Sequence, residues 1–515
     1  MNKLQANFCL LAVTLCWSCE VVIFSVIPDG VNPFATTCVT SLIGLVLMGA
    51  CFARRIAAAF RRDRWLLVRR IAVLSIMNTV YNVLNLVGLD YFNVSTGAFT
   101  LSMTVVVLPV MLLVMKRGVD VRTWISAGCV LAGIVVAVFP TISLPQVSGL
   151  LVMLTSCAIR AIYIVRLNDY AHKHDPITLA AGISGFNAVI AFVPWCVMQP
   201  ITFAGLPWSS QLVAAYFIYA YFIVGFATIL NIFAQRRATA AQSTIIYSTE
   251  IVFSTIWATC LPASIVDPVN LTIPIIVGCA FIVAGNLVEI VFPGASERAN
   301  EGEAASVAQE ASIAKEPTGM ATVAIRKKAC GMLGRPVVRN VGVFVILLGV
   351  YIAIALPFKV LTVIPGFTDV RPVSMLQPVY GIFFGIPGCL AFAVGNLIGD
   401  IVSDSLRWSS IAGFVGNFAA PYIMYVFWCR LRKKCFDLRS GKALALMAML
   451  VAVDACVQAA IIAPAVAVAY PGVDIAVFIA SVLGNGIAFP LAFSIPLIIL
   501  MQEELGFEPL RRVIT

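Results

Sequence analysis

The chain has 515 residues, of which 61% are apolar and 11% charged, with a mean hydropathy of +1.00 and a formal charge of +10. Soluble domains carry about 25% charged residues, so a soluble enzyme is excluded and a polytopic helical membrane protein is implied. The positive balance, which in a soluble protein would point to nucleic acid, here fits the basic bias of cytoplasmic loops.

Ten apolar stretches of the length that spans a bilayer fill the first 292 residues, approximately 6–27, 34–53, 70–89, 95–115, 123–140, 147–166, 177–197, 212–234, 240–262 and 273–292. The first continues past Trp17 without a small-residue cleavage pattern, which makes it an uncleaved span rather than a signal peptide. Loops after the odd spans lack Lys and Arg, whereas those after the even spans carry Arg54, Arg55, Arg61, Arg62 and Arg64; Lys116, Arg117 and Arg122; Arg166 and Lys173; and Arg236 and Arg237. The N-terminus is therefore expected in the cytoplasm of a plasma-membrane protein.

Residues 293–336, rich in Ala, Glu and Ser, read as a cytoplasmic linker. Six shorter or Gly/Pro-interrupted spans follow within 337–505, near 340–361, 373–386, 388–404, 409–429, 443–469 and 473–500, with 506–515 as a cytoplasmic tail. Against that topology four cations stand out: Arg160 inside a span, and Lys359, Arg371 and Arg407 at the outer face. Fifteen cysteines lie mostly inside apolar runs and form no cluster with His172 or His174, so neither a disulfide frame nor a metal site is expected.

The expected fold is all-α: a ten-helix inverted-repeat domain with halves 1–141 and 147–292, fused to a six-helix membrane domain. Each half ends in a Gly-containing helix, 128–139 and 278–292. A duplicated unit with an odd number of spans inserts its second copy upside down and places a site near mid-bilayer.

Leu15–Cys16–Trp17–Ser18, Leu108–Pro109–Val110, Ala240–Ala241–Gln242–Ser243 with Ser248–Thr249–Glu250, and the pairs Ala132–Gly133 and Ala284–Gly285 resemble the EamA-like ten-helix members of the drug/metabolite transporter superfamily. The resemblance implies alternating-access transport of small organic metabolites. The chain departs from it where Lys116–Arg117 and Pro262–Ala263 replace glutamates of the family and Ile251 replaces a proline after Glu250.

Glu250 lies about 15 Å, Glu20 about 21 Å and Arg160 about 10 Å from the cytoplasmic helix ends. A charge at bilayer centre costs about 2.5–3.5 kcal/mol and normally faces a partner or a wet cavity. The three are expected to line a central cavity, one carboxylate binding a proton or a cationic group of the substrate. Alternatively, Arg160 snorkels and the glutamates are protonated against hydroxyls such as Thr14 or Thr249. Trp17, Asn78, Tyr81, Asn82, Asn85, Tyr163, Asn231 and Tyr247 either bind a planar solute or serve as packing contacts.

In 367–404, eight glycines and prolines break two short spans. Asp369, Arg371, Asn396 and Asp400 converge toward one face, with Asn396, Asp400 and Asp404 at i, i+4 spacing. They form either a pocket or an internal clamp. Arg371–Pro372, Gly381-x-x-x-Gly385 and Gly395–Asn396–Leu397–Ile398–Gly399–Asp400 resemble the S components of energy-coupling factor transporters. That likeness implies micronutrient capture, and docking of a scaffold subunit with paired ATPases through Gly349-x-x-x-Ala353. Asp454 is left undecided between bundle and pocket. No P-loop or nucleophile–base pair is present, so neither ATP hydrolysis nor enzymatic activity is expected. The expected partners are the lipid bilayer and a small-molecule substrate, with no cofactor.

Overall fold

A computed structural model describes residues 1–24, 27–28, 31–89, 102–138, 147–198, 206–260, 271–291, 336–360, 370–431 and 436–510. The chain divides into two compact units, Met1–Phe292 and Pro293–Thr515. Among the described residues all regular structure is helical. Ten helices are long and apolar enough to cross a membrane, and three shorter apolar ones accompany them. With no water in hydrocarbon, each segment must satisfy its own backbone, which helices do. The chain is a multi-pass membrane protein.

In the first unit the helices are α1 (Lys3–Ser18), α2 (Glu20–Phe24), α3 (Pro33–Leu89), α4 (Thr104–Val114), α5 (Val121–Val138), α6 (Val147–Ala171), α7 (Pro176–Met198), α8 (Ser210–Tyr219), α9 (Thr228–Gln235), α10 (Ala240–Tyr247), α11 (Thr249–Cys260) and α12 (Ile273–Val291). A π-helical segment, Ala220–Ala227, joins α8 to α9.

Two expected spans are not continuous. The first is interrupted at Cys19, between α1 and α2, and the ninth at Ser248, between α10 and α11. In contrast, the basic stretch 54–69, expected as a loop, is helical, so the second and third spans belong to one 57-residue helix, α3. Its alanines and arginines are strong helix formers. This helix is not straight. Leu45 and Ile71, 26 positions apart, would be separated by about 39 Å on a straight axis, yet they pack on Gly185 and Gly182 of α7. The first arm runs antiparallel to α7, with Arg55 paired to Asp175 and Cys38 and Val39 clustered with Trp195. The second arm returns beside it, Ser75 Oγ donating to the Ile183 carbonyl at 3.4 Å.

The halves interlock. Helix α1 packs on α9, α10 and α11, while α6 packs on α3 and α4. Helices α5 and α12 approach at their glycines. A Cβ on Gly133 would lie 2.5 Å from the Gly278 carbonyl oxygen, one on Gly278 2.7 Å from that of Gly133, and one on Gly285 2.8 Å from that of Ser126. Antiparallel crossing at this distance requires the absence of side chains.

The second unit contains α13 (Pro336–Val360), a 3₁₀ turn (Pro372–Met375), α14 (Leu376–Phe384), α15 (Ile386–Val402), α16 (Ser409–Tyr425), α17 (Gly441–Ala469), α18 (Ile475–Phe489) and α19 (Ile495–Glu503). Two π-helical segments, Val426–Leu431 and Pro490–Ser494, extend α16 and join α18 to α19. Gly385, at φ +60°, makes the reversal between α14 and α15, a conformation open to glycine without strain. Gly381 lets α14 lie on α16, where a Cβ would stand 2.1 Å from the Pro421 carbonyl oxygen.

Candidate functional site

Each interruption in the first unit places a carboxylate in the first turn of the helix that follows, Glu20 in α2 and Glu250 in α11. Helix N-termini favour negative charge, and broken helices in membranes leave polar backbone only where it borders protein or water. Tyr219, the last residue of α8 before the π-helical segment, donates its hydroxyl hydrogen to Glu20 Oε1. Arg160 of α6 holds Nη2 3.9 Å from Glu250 Oε2; the two side chains keep 14% and 27% of their exposure. Glu20 lies within the fields of both Glu250 and Arg160. The three ionisable groups expected to meet do so, with Tyr219 as a fourth member that the apolar pattern of its span did not mark.

Aromatic rings surround them. Trp17 meets Tyr247 edge-on with centroids 5.0 Å apart, and Tyr81 meets Tyr163 at 5.6 Å. The Tyr81 hydroxyl donates to Asn78 Oδ1 at 2.8 Å, and its ring stands in the field of Arg160. Asn82 is exposed beside it. The hydroxyls named in the alternative bond each other rather than a glutamate: Thr249 and Thr14 share a hydrogen bond at 3.1 Å, joining α11 to α1. Asn231, Gln235 and Tyr247 form a buried network, Gln235 Nε2 donating to Asn231 Oδ1 at 3.2 Å and to the Tyr247 oxygen at 2.9 Å. Gln242 Nε2 donates to Asn7 Oδ1 at 2.6 Å.

A second ion pair escaped the sequence reading. Glu289 of α12, fully buried, has Oε1 2.9 Å from Arg122 Nη2 of α5, itself 10% exposed. Ser126 Oγ adds a contact to Oε2 at 3.4 Å. The available signal was a single acid within the last apolar run and a basic residue opening the fifth. Arg117, standing where the resemblance implies a glutamate, binds Asp169 through two hydrogen bonds of 2.9 and 2.8 Å, and these hold its guanidinium pKa above the ordinary value.

In the second unit Asp400 of α15 is paired with Lys359 Nζ at 3.1 Å, their exposures 14% and 12%. Asn396 Nδ2 reaches Asp400 Oδ2 at 3.5 Å. The glycines of the 395–400 motif make this possible. A Cβ on Gly395 would strike the Tyr351 ring at 2.3 Å, and one on Gly399 would crowd the Lys359 stem at 3.1 Å. Of the two expected readings, an internal clamp forms at Asp400, with Lys359 as a cation of it. The Arg371 backbone N–H donates to Asn485 Oδ1 at 2.7 Å, and its charge acts on Tyr351. Asp404 falls beyond α15, in an exposed turn with φ +52°, so the expected stripe stops at Asp400. Asp369 lies outside the described residues. Gly349 and Ala353 are exposed on α13, and among the described residues nothing stands within 4 Å of a Cβ on Gly349. Among the described residues no group of three His, Cys, Asp or Glu is arranged to hold a metal ion.

Residues 4–139 match the EamA-like transporter family. A comparison with curated proteins gives no match. A solved structure titled "Crystal structure of protein" is 18% identical, covering 56% of this chain and 98% of its own, with a TM-score of 0.47.

Proposed function

We propose that the first unit is an alternating-access carrier of small organic solutes, with its binding and coupling centre at Glu20, Arg160 and Glu250. The observation that carries this reading is the ion pair of Arg160 with Glu250, with Glu20 in their field and each carboxylate opening a helix just after an interruption. The EamA-like match to residues 4–139 agrees with it. The contacts of α5 with α12 also favour an inverted repeat. If 133 corresponds to 285 and 126 to 278, the approach of Gly133 to Gly278 becomes that of Gly285 to Ser126, and both occur.

Glu250 is charge-balanced by Arg160, whereas Glu20 has a neutral phenol as its bonded partner. Glu20 therefore serves as the coupling carboxylate, taking a proton or a substrate cation in one state and releasing it in the other. Arg160 and the Trp17, Tyr81, Tyr163 and Tyr247 rings receive the polar and planar parts of the solute. The basic ends of the bundle, with Arg55, Arg117 and Arg236, face the cytoplasm of a plasma membrane.

Proteoliposome flux under an imposed proton gradient tests the assignment. Glu20→Gln abolishes gradient-driven flux and retains exchange. Glu250→Gln and Arg160→Gln lose both. Unchanged transport by Glu20→Gln and Glu250→Gln ends the proposal.

For the second unit we infer a solute-capturing module. The uncovered Gly349 and Ala353 favour a second reading as a substrate-capture subunit that docks a separate scaffold and ATPases. Co-purification with those subunits, lost in Gly349→Leu, tests it.

A further inference from the structure

Four buried amide side chains run through the second unit: Gln377 of α14, Asn396 of α15, Asn417 of α16 and Gln458 of α17. Three are joined in one donor direction. Gln377 Nε2 reaches Gln458 Oε1 at 3.5 Å, Gln458 Nε2 donates to Asn417 Oδ1 at 3.0 Å, and Asn417 Nδ2 donates to the Gly413 carbonyl at 2.7 Å. Gly413 in turn borders Asn396, whose amide stands against Asp400. One turn before Gln458, about 20 Å along α17 from Gly441, lies Asp454, 2% exposed.

The amides satisfy one another and leave the carboxylate out. Oδ1 of Asp454 has no hydrogen-bond partner among the described residues. Glu289 Oε1 shares that description but has Arg122 2.9 Å away. Among the described residues no ion pair reaches Asp454. Packed on α17 are α16, α18 and the Pro490–Ser494 segment, with α14 reaching it through Gln377, and their sequences contain no Asp, Glu, Lys, Arg or His. Lys359 is engaged by Asp400. An ionised carboxylate enclosed in protein without a counter-charge is strongly disfavoured.

We propose that Asp454 is the binding site of a small monovalent cation, a proton or Na⁺, at the inner end of this amide file. Its near-complete burial excludes an organic solute and admits a proton or a desolvated ion. The Gln458 and Asn417 carbonyl oxygens each accept one hydrogen bond and keep a second lone pair, the oxygen chemistry a hard cation takes. Binding there removes the unpaired charge and couples the folding of this unit to the cation.

The test is thermal unfolding of the full-length protein in detergent, in NaCl against choline chloride at equal ionic strength, and across pH in choline. The wild type gains several degrees with the bound cation, and Asp454→Asn and Asp454→Ser lose that gain while Asp454→Glu retains it. A response to Na⁺ at fixed pH assigns the metal ion, and a response to pH alone assigns the proton. Unfolding of the wild type that is indifferent to both overturns the proposal. So does an Asp454→Asn protein that responds as the wild type does.

Discussion

In the first unit two carboxylates come with cations from another helix: Arg160 stands 3.9 Å from Glu250, and Arg122 2.9 Å from Glu289. In the second unit the cation Lys359 is bonded near the end of α15 to Asp400, and the mid-helix Asp454 has a neutral amide file beside it. The first arrangement brings together groups that can trade partners: Glu20, Glu250 and Arg160 are more groups than one ion pair needs. The second leaves a charge that only a small ligand neutralises. Charge pairing between helices suits elements that exchange contacts during a transport cycle, and an isolated carboxylate in a closed bundle suits occupancy by an ion.

The largest expected effect separates these cases. Arg122→Ala leaves the fully buried Glu289 without its cation, and breaking such a pair costs about 3–5 kcal/mol. Replacing both partners, Arg122→Met with Glu289→Leu, recovers most of that loss because no charge stays buried. Asp454→Leu, by contrast, removes a carboxylate with no ionic partner among the described residues and is neutral or stabilising in Na⁺-free detergent at alkaline pH. Equal destabilisation by Arg122→Ala and Asp454→Leu would break the distinction. Lys359→Met comes next, since it strips Asp400 of a mostly buried hydrogen-bonded cation worth about 1.5–3 kcal/mol; unfolding in denaturant measures it.

Glycine substitutions probe a feature the units share. Gly133→Ala, with a carbonyl 2.5 Å from the new Cβ, and Gly381→Ala, with one at 2.1 Å, each force helices apart, at about 1–3 kcal/mol. Gly128→Ala meets nothing within 4 Å and changes stability by about 0.5 kcal/mol or less. Melting of the three variants ranks them.

Apolar run length located most of the spans, because the demand for about 20 apolar residues is set by the bilayer. The interruptions at Cys19 and Ser248 escaped that reading, since the flanking residues are as apolar or small as any helix interior. That Glu20, Arg160 and Glu250 approach one another was expected from counting along the spans, whereas the packing of α1 against α9 to α11 that brings them together was not legible. Tyr219 carries no signal beyond being one tyrosine among several. The clamp at Asp400 was legible as an alternative; its partner Lys359 was noted only as an exception to the charge bias, and proximity across α13 and α15 is a property of Gly395 and Gly399 in three dimensions.

The smallest effects lie where the two units are alike. Arg117–Asp169 in the first unit and Arg439–Glu503 in the second are solvent-facing, with the arginines 41% and 61% exposed. Exposed pairs contribute about 0.2–1 kcal/mol and are screened by salt. Arg117→Ala and Arg439→Ala therefore lower stability slightly in low salt, and the difference from wild type closes as salt is raised. The loss in Arg122→Ala, whose pair is enclosed, persists at high salt because mobile ions do not reach it. Denaturant titrations of the three variants at two salt concentrations make the comparison. A salt-insensitive Arg439→Ala defect would mean that charge burial in the second unit extends beyond its membrane-depth groups, and the contrast between the units would then lie in the number of counter-charges rather than in where they are placed.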